Sequence, residues 1–281
     1  MASSPDYGYV EFAALSEAGL VRDHNEDAYL ALPLCGVFAV ADGMGGGAAG
    51  EVASAIVVES LRTACNKVAA DSPGERKYTV QQALHKANAE VLRYLREHGF
   101  SSMGSTVVAL ILDSWRPGNA YLCHVGDSRL YCLRGGELFC LTVDHSMGEE
   151  IRKLHPERLS EISEKLARVL TRGVGSDGLL VPEWQEVAVC PGDVFLLCSD
   201  GVYGEMSEAE LAAALGGASL AAALESIRAK VLEHGAGDNF TALCLKVGAV
   251  LPSAVEVEEW EREESNLLLR VAEERRDYGA K

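Results

Sequence analysis

The chain has 281 residues, 48% of them hydrophobic, enough to bury one large core, and it sets 42 acidic against 25 basic side chains for a formal net charge of −17. That balance argues against binding nucleic acid through its phosphates, which needs clustered Lys and Arg, and it suits a basic partner or a metal that absorbs some of the acids. No apolar run is long enough to cross a bilayer and the N-terminal MASSPDYGY lacks the charged and apolar regions of a signal peptide, so the expected location is the cytoplasm.

A first strand is expected over 9–15 and a second over 28–34. Between them, Arg22, Asn25, Glu26 and Asp27 crowd six residues. This cluster reads either as solvated surface or as an arginine fork for a phosphate beside metal-binding acids. The run 37–41 reads as a strand buried on both faces that stops at Asp42, where an Asp-Gly pair and further glycines turn into a helix. Two amphipathic helices follow, one over 48–67 and one with Val80, Leu84, Ala87, Val91 and Leu95 on one stripe, as an antiparallel layer. The chain then turns to strands at 104–113, 119–125, 128–133 and 137–142. These are expected to form an antiparallel meander in which Gly126-Asp127 makes a two-residue hairpin.

The polar, partly helical stretch 144–178 interrupts the strands as a lid or docking flap, or as an ordinary surface linker. Strands resume at 183–189 and 194–198, the latter running into Asp200-Gly201. Helices at 207–215 and 220–234 lead to Asp238 and a last strand at 240–247. After residue 250, Trp260, Leu267, Leu268 and Val271 fall on one helical face, which predicts an amphipathic helix over 251–281 packing back on a catalytic domain spanning 1–250. The eight cysteines form no CxxC pair. Those in or beside apolar runs (Cys35, Cys123, Cys132, Cys140, Cys198 and Cys244) are expected to be buried free thiols.

Four aspartates at strand ends, Asp42, Asp127, Asp200 and Asp238, repel one another if they converge and then require a cation. Oxygen-only ligands point to Mg²⁺ or Mn²⁺.

The segments RDHNED (22–27), VADGMGG (40–46), GST (104–106), VGDSRLY (125–131), LTVDHS (141–146), LTRGVG (170–175), CSDGVY (198–203) and GDNFTAL (237–243) occur in one order along the chain. In this the sequence resembles the metal-dependent protein phosphatases of the type 2C family, of the compact bacterial kind. The resemblance implies an α+β fold, a sandwich of two antiparallel β-sheets flanked by helical layers. It implies a serine/threonine phosphatase that attacks phosphorus directly with a hydroxide shared by two metals and that opposes a Ser/Thr kinase, most simply as a monomer.

Carried onto this chain, it makes Asp42 the bridging ligand, completes one site with Asp200 and Asp238, and serves the other with the Gly43 carbonyl and Glu26. Asp27 holds waters or neighbouring ligands, Asp127 supports a third, weaker site, and Arg22 binds the substrate phosphate. Where some members carry a histidine after the Asp-Gly as general acid, this chain has Met44, which has no proton to give. His24 and His145 lie in the motif segments, but the donor expected is a water at the metals, and His124 reads as a satisfied core histidine. Two alternatives share these features: a pseudophosphatase, whose usual sign is a lost metal ligand, and a metal-dependent nuclease, which the acidic surface disfavours.

Overall fold

Apolar runs separated by glycine-rich turns give twelve strands and seven helices in a computed structural model that describes residues 2–3, 10–45, 49–66, 74–113, 118–176 and 178–248. In chain order these are β1 (Ala2–Ser3), β2 (Val10–Glu17), β3 (Asp27–Leu32), β4 (Val37–Gly45), α1 (Ala49–Cys65), α2 (Glu75–His98), β5 (Met103–Ser105), β6 (Val107–Leu112), β7 (Asn119–Val125), β8 (Arg129–Arg134) and β9 (Glu137–Cys140). There follow α3 (Met147–Leu154), α4 (Glu164–Ala167), β10 (Glu183–Ala188), β11 (Val194–Cys198), α5 (Asp200–Tyr203), α6 (Glu208–Leu215), α7 (Leu220–Glu233) and β12 (Phe240–Val247).

One sheet runs β1-β2-β12-β11-β8-β9 and the other β10-β7-β6-β4-β3, with β5 paired to β4, all antiparallel. The two sheets face each other across a core that includes Phe38, Val40, Leu110, Leu122, Leu130, Phe195, Leu197 and Leu243. Alternate residues of the same strands face outward. Val37, Ala39, Ala41 and Ile111 meet Ala53, Val57 and Leu61 of α1 and Val80, Leu84 and Val91 of α2. On the far side Tyr131, Leu196, Cys198 and Cys244 meet Leu211 of α6 and Leu224, Ile227 and Val231 of α7. The central strands are therefore buried on both faces, which is why they read as continuous apolar runs. Each large side chain so buried contributes about 1.5–3 kcal/mol. Among the described residues, no helix is long and apolar enough to cross a membrane.

Three sequence expectations are corrected. The strand expected to stop at Asp42 continues to Gly45, because β5 pairs with Gly43, Met44 and Gly45 and extends the ladder. Gly126-Asp127 is not a hairpin and strands β6 to β9 are not one meander. β7 and β8 lie in opposite sheets, and the turn carries the chain across the sandwich. Cys140 is exposed and Cys35 half-buried; Cys123, Cys132, Cys198 and Cys244 are buried, and all eight cysteines are free. The C-terminal helix expected over 251–281 lies outside the described residues.

Candidate metal centre

Antiparallel register brings the acids to one end of the sandwich. In one sheet Asp27, at the start of β3, is the direct partner of Asp42 on β4, and Val107 pairs with Val125 two residues before Asp127. In the other, Cys198 pairs with both Ala242 and Arg129, so Asp200, Asp238 and Asp127 leave their strands at the same end. Like charges opposite each other on one sheet face destabilise it, so this arrangement calls for a counter-charge.

Burial and mutual repulsion raise Asp27, Asp42, Asp127, Asp200 and Glu26 above their ordinary range. Asp42 is raised well above it, first by burial and then by Asp27, Asp200, Asp127 and Asp238. Asp27 is pushed up to about 7 by burial, against hydrogen bonds from Ser199 and Thr241 and with added repulsion from Asp200 and Asp238. Asp127 is likewise pushed up to about 7 by burial and by Asp200. Asp200 is raised by burial and Asp238, partly offset by a hydrogen bond with Asp42. Glu26 is raised by burial, with Arg22 opposing.

The supports come from the neighbouring motif residues. The Asp42 N–H donates to Thr106 Oγ1 (3.0 Å), the Thr106 N–H donates to the Asp42 carbonyl (2.8 Å), and Thr106 Oγ1 shares a 2.6 Å hydrogen bond with Ser128. Asp27 is held from the opposite sheet, where the Ser199 hydroxyl donates to its Oδ2 (2.7 Å). Its Oδ1 is buried with no partner among the described residues. Asn239 clamps the 22–26 loop by accepting the Glu26 N–H (2.8 Å) and donating to the carbonyls of Ala18 (3.0 Å) and His24 (2.8 Å). Arg22 donates to Asp238 Oδ2 at 2.7 Å, an ion pair exposed at the rim.

Close backbone approach makes two glycines obligatory here. A Cβ on Gly43 would lie 2.1 Å from the Gly50 carbonyl oxygen, and one on Gly201 would lie 2.0 Å from the Asn239 carbonyl oxygen. Gly201→Ala is expected to cost about 3 kcal/mol or more by forcing α5 off β12, read as a lower urea midpoint at unchanged slope.

All eight residues picked out in the sequence, Arg22, Glu26, Asp27, Asp42, Gly43, Asp127, Asp200 and Asp238, stand at or around this end of the sandwich. The hydroxyls of Ser199 and Thr241 and the amide of Asn239 were missed as participants, although CSDGVY and GDNFTAL were among the segments singled out. The histidines divide. His24 is exposed beside the acids, within electrostatic reach of Glu26, whereas His145 is buried against Gly126 and Glu183. His124 is not fully satisfied, since its Nδ1 is buried without a partner among the described residues. A groove of about 610 Å³ starts at Asp127 and Asp200 and passes Arg129 and Tyr203 to Arg152 and Arg168 of the 144–178 insert.

An all-oxygen donor set, an orphaned buried carboxylate oxygen and mutually repelling acids fit hard divalent cations. The fold and this site together define a metal-dependent phosphatase. The protein phosphatase 2C family model matches residues 21–234, and the chain belongs to that family. It is 31% identical over 243 residues to the serine/threonine phosphatase stp of Listeria innocua, covering 82% of this chain and 93% of that one. It is 32% identical to the serine/threonine protein phosphatase PstP of Mycobacterium tuberculosis, covering 85% of this chain and 45% of PstP.

Among solved structures it is similar to PppA, a regulatory component of T6SS in Pseudomonas aeruginosa, with a TM-score of 0.77 and 37% identity over 85% of this chain and 98% of that one. The catalytic domain of PstP with two manganese ions gives a TM-score of 0.74 and 29% identity over 85% and 99%. The chain is a protein serine/threonine phosphatase that uses divalent metal.

Proposed function

We propose that the strand-end acids hold two Mn²⁺ or Mg²⁺ ions, with Asp42 shared between them, Asp200 and Asp238 on one, and the Gly43 carbonyl and Glu26 on the other. Asp27 orients the surrounding ligands and waters, and Asp127 with Asp200 supports a third, weaker site. The observation that carries this reading is the convergence of Asp27, Asp42, Asp127, Asp200 and Asp238 at one end of the sandwich, each either buried or half-buried beside like charge or paired with Arg22. The manganese-bound PstP domain supports it.

When bound, the metals supply a nucleophilic hydroxide near neutral pH and neutralise charge on the transferring phosphoryl group. The chain's own residues do the rest. Arg22 leaves Asp238 to grip two phosphate oxygens with its planar fork and meets the charge that builds on them. Thr106 and Asn239 fix the Asp42 backbone and the 22–26 loop, so that the phosphate meets a site already formed. Met44 offers no proton and His145 is engaged by Gly126 and Glu183, so a water held in the metal centre, rather than His24, would protonate the departing seryl or threonyl oxygen.

The groove from Asp127 to Arg168 supports reading 144–178 as a docking flap for the polypeptide around the phosphoresidue. The substrates are proposed to be phosphoproteins made by a Ser/Thr kinase that this phosphatase opposes, acting as a monomer in the cytoplasm. The likeness to PppA makes a phosphoprotein of a T6SS-type regulatory circuit a natural first substrate.

Arg22→Ala is expected to lower kcat/KM for a phosphothreonine peptide by about 10–100-fold, through both KM and kcat, with Arg22→Lys intermediate because it keeps the charge and loses the fork. The exposed Arg22–Asp238 pair contributes at most about 1 kcal/mol, so neither variant should move the melting temperature much. An unchanged KM in Arg22→Ala would remove Arg22 from phosphate binding.

A further inference from the structure

Beneath the Asp127 turn lies a second cluster. His124 and His145 stack with ring centroids 4.5 Å apart and planes 13° from parallel. Together with Glu183 they offer three ligand-type atoms all within 4.8 Å of one another. Two imidazoles and a carboxylate are a donor set that zinc takes. The proton inventory points elsewhere. The Gly126 N–H donates to His145 Nδ1 (3.1 Å), which leaves the ring's one proton on Nε2, facing Glu183 at 3.1 Å. A metal needs the lone pair where that proton sits, and the Arg172 guanidinium, 3.3 Å from the same nitrogen, adds a positive charge. Nearly parallel rings also fail to aim their lone pairs at a common point.

We infer that His145 is a positioning residue, holding the Gly126–Ser128 turn so that Asp127 is presented to the metal centre; this rests on the reading of Asp127 as a metal-site acid. Several contacts among the described residues shape that turn. Gly126 has φ +101° and a Cβ there would lie 2.6 Å from Thr106 Cγ2, so the turn presses against Thr106 on one side. Ser128 is tied to Thr106 Oγ1, and the Asp127 carbonyl accepts from the Tyr203 hydroxyl (3.0 Å). A further anchor is His145, used twice: its ring accepts the Gly126 N–H, and its own N–H donates to the Gly126 carbonyl (3.0 Å). Its carbonyl accepts the Thr171 N–H (2.9 Å), tying the same turn to the loop at 170–176. Burial holds both imidazoles below their ordinary pKa, which keeps His145 in the neutral form that can accept from Gly126.

The test separates the two ring nitrogens. Asn at 145 places an acceptor near Nδ1, whereas Gln places its amide nitrogen near Nε2. Mn²⁺ binding to the full chain is measured by calorimetry for wild type, Asp127→Asn, His145→Ala, His145→Asn and His145→Gln, with melting temperatures alongside. The Mn²⁺ step lost in Asp127→Asn should weaken by about tenfold or more in His145→Ala and His145→Gln, and His145→Asn should stay within about threefold of wild type. Equal weakening in the Asn and Gln variants, wild-type binding in His145→Gln, or failure of His145→Asn to fold would overturn the proposal. So would tight Zn²⁺ binding lost in both His124→Ala and His145→Ala. An Asp127→Asn titration indistinguishable from wild type would instead bring down the reading of Asp127, and this proposal with it.

Discussion

Asp42→Asn is expected to lower kcat/KM for a phosphothreonine peptide by about 10³-fold or more, and at the same time to raise the melting temperature of the metal-free chain. The first effect follows from its proposed place as the shared ligand. Without that carboxylate the two ions lose their common anchor, and a loss of about 4 kcal/mol in transition-state stabilisation is an ordinary cost for such a group. The second follows from the neighbours. Asp42 is half-buried among Asp27, Asp127, Asp200 and Asp238, and each of them raises its pKa. The isosteric amide removes that repulsion while still donating to Asp200, and relief of about 1–2 kcal/mol moves the midpoint of a chain this size by about 2–6 °C. Saturating Mn²⁺ should then stabilise wild type more than the variant. A less stable metal-free Asp42→Asn would mean that packing, not charge, dominates at this position.

The second large effect is a pH dependence of unusual sign. Asp27 and Asp127 have folded-state pKa values of about 7 against an ordinary 3.8, and Asp42 and Asp200 are also raised. An acid raised on folding keeps its proton in the folded chain after the unfolded chain has released it. Its support for the fold is complete below about pH 4 and is lost as pH climbs to about 7. Without metal, stability should therefore fall by about 2–5 kcal/mol between about pH 5 and about pH 7.5, in the range where many proteins are most stable. Mn²⁺ should flatten this slope, because the ligands bind it deprotonated and the ion replaces the lost protons. Urea midpoints in EDTA and in Mn²⁺ across that range decide the matter. A metal-free midpoint rising toward neutrality would contradict the electrostatic account of the site.

The strand ends were legible because each apolar run stops at a polar or glycine residue. The segments 119–125, 194–198 and 240–247 have the same bounds in the sequence reading and in the structure. The acids at those ends, and the two helical layers, could be read for the same reason. Sheet membership could not. Strands such as β6 and β11 are apolar on both faces, so no alternation marks which side meets the other sheet and which meets a helix. The same blindness turned the crossing at Gly126-Asp127 into a hairpin, and the sandwich itself came only from the family resemblance.

The continuation of β4 past Asp42 was hidden because Gly43 and Gly45 read as turn residues. In the structure Gly43 is the residue without which α1 could not approach so closely, its Cβ position lying 2.1 Å from the Gly50 carbonyl oxygen. Ser199 and Thr241 went unread because a hydroxyl just after or within a strand carries no signal of the acid it serves across the sandwich. His145 likewise carried none of the turn it holds.

The most direct measurement is phosphate release from a phosphothreonine peptide by the full chain with Mn²⁺, with EDTA, and with Mn²⁺ restored after EDTA. Release that requires Mn²⁺, is abolished by EDTA and returns on restoration is the predicted result. Release indifferent to EDTA, or none from a folded chain that binds Mn²⁺, would contradict a metal-dependent phosphatase built on these strand-end acids.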